Sequence, residues 1–89
     1  MGYAWIVFSS STSAGRLKKL ALTRQLRGVR MLQTPRAISQ NGCTYALFCA
    51  MDVLPQLLSL AQQYNIRHGK VYKEHIDEDG KRFFQEIPI

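Results

Sequence analysis

The sequence predicts an α+β domain, a ferredoxin-like βαββαβ two-layer sandwich with an extra C-terminal hairpin strand, spanning all 89 residues. Three observations lead there. Short aromatic and β-branched runs alternate with two segments whose apolar residues recur at helical spacing. The elements come in the order β-α-β-β-α-β, for which right-handed crossovers usually leave two helices on one face of an antiparallel sheet. An Asp79-Gly80 turn between two strand-like runs then adds a hairpin strand. Residues 1–76 form the predicted core and residues 77–89 the appended strand, all in a single domain.

In chain order, Tyr3-Ala4-Trp5-Ile6-Val7-Phe8 is apolar at every position and predicts a strand buried on both faces. The hydroxyl cluster Ser9–Ser13 follows and supplies a helix cap, or a hydroxyl-lined helix N-terminus able to hold an anion. Residues 14–27 predict the first helix. Leu17, Leu20 and Ala21 share an arc that Leu22 and Leu26 widen, while Arg16, Lys19, Thr23 and Arg27 form one exposed stripe. Gly28 is the expected stop. Val29 to Gln33 predicts a brief second strand that Thr34-Pro35 ends, because Pro cannot donate to a ladder. Cys43 to Phe48 predicts the third strand, with Tyr45, Leu47 and Cys49 alternating against Thr44, Ala46 and Phe48. Asp52 is the expected cap of the second helix, with Pro55 tolerated in its first turn. Leu54, Leu57, Leu58, Ala61 and Tyr64 give that helix an apolar face, and Asn65 can take a left-handed conformation before Ile66. Lys70 to Ile76 and Lys81 to Ile87 are the hairpin strands, with His75 opposite Phe83 or Phe84.

Composition narrows the function classes. A 46% hydrophobic and 20% charged chain is that of an ordinary globular domain. No apolar run approaches the roughly 18 residues of a membrane helix, so no membrane partner is expected. The opening Gly2-Tyr3-Ala4-Trp5 has none of the features of a secretory signal, and a cytoplasmic location is expected. The net charge of +6 is uneven. Arg16, Lys18, Lys19, Arg24, Arg27, Arg30 and Arg36 precede the first acid, Asp52, which makes the first half wholly basic. Either this is a solvated face, or the stripe of Arg16, Lys19 and Arg27 meets an anionic partner. No cofactor motif is present, and Cys43 and Cys49 with the distant His68 and His75 do not make a zinc spacing.

The two cysteines divide by position. On one strand they would lie about 20 Å apart, too far for a disulfide. Cys49, at the far end of the third strand, reads as a small buried hydrophobe. Cys43 has two readings, the same buried role or a reactive thiol. In the predicted topology the first strand ends, the first helix begins and the third strand starts at one sheet edge. Cys43 then lies near the Ser9–Ser13 cluster, with Arg36 on the adjoining loop. A helix N-terminus and a nearby cation favour a thiolate, whose pKa of about 8.5 in free Cys falls toward neutrality in such surroundings.

Four features then carry a resemblance: Ser11-Thr12 after an opening strand, Thr34-Pro35-Arg36-x-Ile38-Ser39, the pair Gly42-Cys43, and a helix ending in Asn65-Ile66 before the fourth strand. With these the chain resembles the small selenium/sulfur carrier-like proteins over residues 3 to about 73, the hairpin tail lying outside. Gly42 precedes Cys43 here, whereas in that family the glycine often follows the cysteine. The resemblance implies a ferredoxin-like domain that carries sulfur or selenium. Cys43 would be the carrier thiol accepting a persulfide or perselenide, Pro35, Arg36, Ser39 and Gly42 would shape its loop, and donor and acceptor proteins would be the partners.

Two other function classes stand beside the carrier. One is a basic binding module for nucleic acid or an acidic protein, using the aromatics Tyr3, Trp5, Tyr45, Tyr72 and Phe83, although the RNP1 pattern is absent. The other is a dimeric structural or regulatory domain paired through its sheet or hairpin. A turnover enzyme fits less well than a carrier or binding protein, since no acid/base pair, phosphate loop or nucleophile–base spacing is seen.

Overall fold

The computed structural model describes residues 2–39 and 45–88. The elements are β1 (Tyr3–Phe8), α1 (Ser11–Thr23), β2 (Arg30–Gln33), a 3-10 turn (Arg36–Ile38), β3 (Tyr45–Ala50), α2 (Leu54–Gln63), β4 (Val71–Ile76) and β5 (Arg82–Ile87). The five strands form one sheet in the order β2-β3-β1-β4-β5, every neighbouring pair antiparallel. The structure therefore shows an α+β fold with a five-stranded antiparallel sheet and two helices. Its strand order differs from the four-strand order expected of a ferredoxin-like sandwich.

The apolar pattern of β1 explains its central place. Ala4, Ile6 and Phe8 face the helices, where they pack with Ala14, Leu17 and Ala21 of α1 and Leu54, Leu57, Leu60 and Ala61 of α2. Trp5 and Val7 point to the opposite face and pack with Ala46, Tyr72 and Ile38, flanked by Leu32, Phe48 and Phe84. A strand covered on both sides has no need of polar alternation, and only Tyr3 at its start is exposed.

The helix ends depart from expectation in instructive ways. α1 starts at Ser11 because Ser10 caps it, its hydroxyl accepting from the Ser13 N–H at 3.3 Å. It ends at Thr23, not near residue 27. Gln25 takes the left-handed conformation (φ 60°), its N–H reaching the Leu22 carbonyl while the Leu26 N–H reaches that of Ala21. This pair of bonds is a Schellman closure, so Gln25, not Gly28, is the stop. Leu26 turns back against the core and Leu22 is exposed, which corrects its place in the apolar arc. α2 closes as expected, with Asn65 at φ 54° and the Ile66 N–H on the Ala61 carbonyl. Its start is different: β3 runs on to Ala50, so Asp52 falls in the connecting turn, and Val53 precedes the helix with no side-chain cap. At the hairpin, Asp77 Oδ1 accepts from the Asp79 and Lys81 N–H groups and Gly80 takes φ 78°.

Candidate functional site

Three segments meet at one end of the sheet. The register pairs Phe8 with Tyr45 and Gln33 with Tyr45, so the end of β1, the end of β2 and the start of β3 lie side by side. β1 leads through Ser9 and Ser10 into α1, whose N-terminus therefore opens at this end. No acidic residue occupies its first turn, and the backbone donors there favour negative charge. Ser11 and Thr12 are exposed on that turn.

β2 leads into the Thr34–Ser39 segment at the same end. Pro35 (φ −56°, ψ 142°) turns the chain into the 3-10 turn, in which the Ile38 N–H donates to the Pro35 carbonyl at 3.1 Å and the Ser39 N–H to the Arg36 carbonyl at 3.3 Å. The turn presents Arg36 and Ser39 to solvent and drives Ile38 into the apolar cluster on the sheet face opposite the helices. Ile38 is thus the anchor that fixes the segment to Trp5, Val7, Ala46 and Tyr72. Thr34 is buried, and its hydroxyl has no hydrogen-bond partner among the described residues.

Of the expected site residues, Ser11, Thr12, Pro35, Arg36 and Ser39 are thus brought to one sheet end. Gly42 and Cys43 lie outside the described residues; Cys43 precedes Tyr45 by two positions in the sequence. Arg16 and Lys19 are exposed on α1 as expected, whereas Arg27 lies in the loop beyond the helix rather than on its stripe. Cys49 is fully buried in the helix-side core. Burial pushes its thiol up to about 11, with a smaller push from the Asp52 carboxylate, so at neutral pH it is neutral and unreactive.

The aromatic residues do not form one platform. Tyr3, Trp5 and Tyr72 share the face away from the helices, but the register puts Tyr45 and Phe83 on the other. The residues missed there are Phe48 and Phe84. Phe48 lies between Tyr3 and Trp5 (ring centroids 5.0 and 4.9 Å away), and Phe84 meets Trp5 edge-on at 6.3 Å. The Trp5 indole N–H donates to Glu74 Oε1 at 2.9 Å, and Glu74 also faces Arg82 at 3.6 Å. Trp5 and Tyr72 are buried beneath these neighbours, which leaves Tyr3 as the exposed ring of the set. The signal was in the turn: Asp79-Gly80 pairs His75 with Phe83, which sends Phe84 to the Trp5 side.

A family model described as "Putative Se/S carrier protein-like" matches residues 3–73, from the first residue of β1 into β4. The chain belongs to this family. Neither the comparison with curated proteins nor that with solved structures gave a match. The family match takes in the whole sheet end described above and leaves β5 outside. Among the described residues no group of His, Cys, Asp or Glu has a metal-holding arrangement, and no helix is long and apolar enough to cross a membrane.

Proposed function

We propose that this protein carries sulfur or selenium on Cys43 and passes it to an acceptor protein. The observation that carries the reading is the meeting of α1's N-terminus and the Thr34–Ser39 segment beside the first residue of β3, inside the span of the family match. A thiol held at that end sits in the field of the helix N-terminus, with Arg36 as the local cation, and both stabilise a thiolate. Pro35, Ser39 and Gly42 shape the loop, and Ser11 and Thr12 line the helix end.

In the loading step the Cys43 thiolate attacks the outer sulfur of a donor persulfide. A new S–S bond forms, the donor S–S bond breaks, and the donor leaves as its thiolate. Unloading is the same exchange in reverse order, with a nucleophile of the acceptor attacking the outer sulfur and Cys43 leaving as thiolate. Selenium follows the same path as a perselenide. No net oxidant is consumed and no general base is required, which fits a carrier better than a turnover enzyme. Arg16 and Lys19 offer a positive docking surface for acidic patches on donor or acceptor. At the level of the fold, we read β1–β4 with α1 and α2 as a ferredoxin-like core, to which β5 adds one strand at the β4 edge.

The test is loading by a small-molecule persulfide, followed by mass spectrometry of the intact protein. The wild type gains one sulfur atom at Cys43, and Cys43→Ser gains none while keeping its circular dichroism spectrum. Undiminished loading of Cys43→Ser rejects the assignment.

A further inference from the structure

The strand that the family match leaves out lies at the outer edge of the sheet. β5 is six residues long, against four for β2 at the other edge, and among the described residues no strand lies beside its outer side. The Asp77 N–H donates to the Lys81 carbonyl at 2.9 Å. Directly opposite residues in an antiparallel pair alternate between bonded and non-bonded. With the register His75–Phe83 and Lys73–Gln85, residues 81, 83, 85 and 87 turn their backbone groups toward β4. Arg82, Phe84 and Glu86 therefore turn theirs outward. All three also place their side chains on the Trp5 face of the sheet.

We propose that β5 pairs antiparallel with β5 of a second copy of this chain, about a two-fold axis between the two Phe84 residues. The charge pattern selects the register. Centred on Phe84, the pairing sets Arg82 of each copy opposite Glu86 of the other, and all three outward-facing residues exchange backbone hydrogen bonds. Sliding by one ladder step in one direction sets Arg82 against Phe84 and loses the ion pairs. Sliding the other way sets Arg82 against Pro88, which has no N–H to give. In the centred register the two Phe84 rings are neighbours across the axis, so the row Trp5–Phe84 continues into the second copy. Arg82 and Glu86 are half exposed; among the described residues Arg82 faces Glu74 at 3.6 Å and lies over the Phe84 ring at 5.2 Å, while Glu86 faces Lys70 at 3.5 Å, long contacts that let both side chains turn to a new partner. The hairpin's exposed Phe83 and Ile76 are consistent with a surface that is covered in use.

Sedimentation equilibrium of the full chain tests this with two variants, Arg82→Glu and Glu86→Arg, each checked for folding by circular dichroism. The wild type is expected to dimerise. Each variant alone sets like charges across the axis and should weaken association at least about tenfold. An equimolar mixture of the two restores opposite charges at both positions and should dimerise as the wild type does. A wild type that stays monomeric overturns the proposal, and the same two residues are then edge guards. Variants that dimerise undiminished, or a mixture that does not recover, overturn the register.

Discussion

Ile38 is the residue through which the segment before Cys43 is held to the sheet, and Ile38→Ala should release it. The side chain is buried against Trp5, Val7, Ala46 and Tyr72. Truncation removes three carbons, and at roughly 0.8 kcal/mol per buried methylene the loss is about 2.4 kcal/mol before any cavity cost. Core Ile→Ala changes span about 2–5 kcal/mol, and a site roofed by a single 3-10 turn can collapse partly, which favours the lower half of that range. For a chain of this length each kcal/mol moves the melting temperature by about 4–8 °C, so the midpoint should fall by roughly 10–20 °C. Urea unfolding followed by Trp5 fluorescence measures the free energy directly, with the exposed Ala37→Ser as a control expected to change it by less than about 0.5 kcal/mol. A loss below about 1 kcal/mol for Ile38→Ala would show that Ile38 is not an anchor and refute the reasoning.

Other changes bear on neighbouring features. Thr34→Val replaces a buried hydroxyl that has no partner among the described residues with a methyl of similar shape, and should stabilise the fold by about 1 kcal/mol in urea titration. Gln25→Gly relieves a left-handed residue at the end of α1; the gain of about 1–2 kcal/mol from removing Cβ, less the entropy cost of glycine, leaves roughly 0.5–1 kcal/mol of stabilisation. The buried Cys49 thiol gives a pH signature. Its folded value of about 11 lies above the unfolded 9.0, so the thiol is neutral in both states below pH 9 and has no effect there. Above that the unfolded chain ionises first, and stability should fall by roughly 2–3 kcal/mol between the two values. Cys49→Ala should remove that part of the alkaline loss.

How much of this could be read from the sequence depends on which physical signal each element carries. β1 was plain at both ends because an unbroken apolar run between Gly2 and a serine cluster admits few alternatives. α2's face and its Asn65 stop were equally clear, since apolar spacing and left-handed tolerance agree there. β3 was ended two residues early, at Phe48 rather than Ala50: alternation of period two tells which residues share a face but not where a strand ends, and the error displaced the cap to Asp52. The end of α1 was missed because Leu26 fits a helical arc, yet it is held by a reversal through Gln25 that no glycine announced. The convergence of α1's start with the Thr34–Ser39 segment was predictable from topology alone, as strand order fixes which ends are neighbours. Ile38's role was not, because the apolar face it seals is built from residues far apart in sequence.

The most direct measurement of the carrier reading is the pH dependence of alkylation at Cys43, followed by mass spectrometry with Cys49 as the internal reference. The account predicts rapid reaction of Cys43 near or below neutral pH while Cys49 stays unmodified until the protein unfolds or the pH nears 11. Reaction of Cys43 as slow as that of Cys49 would contradict it.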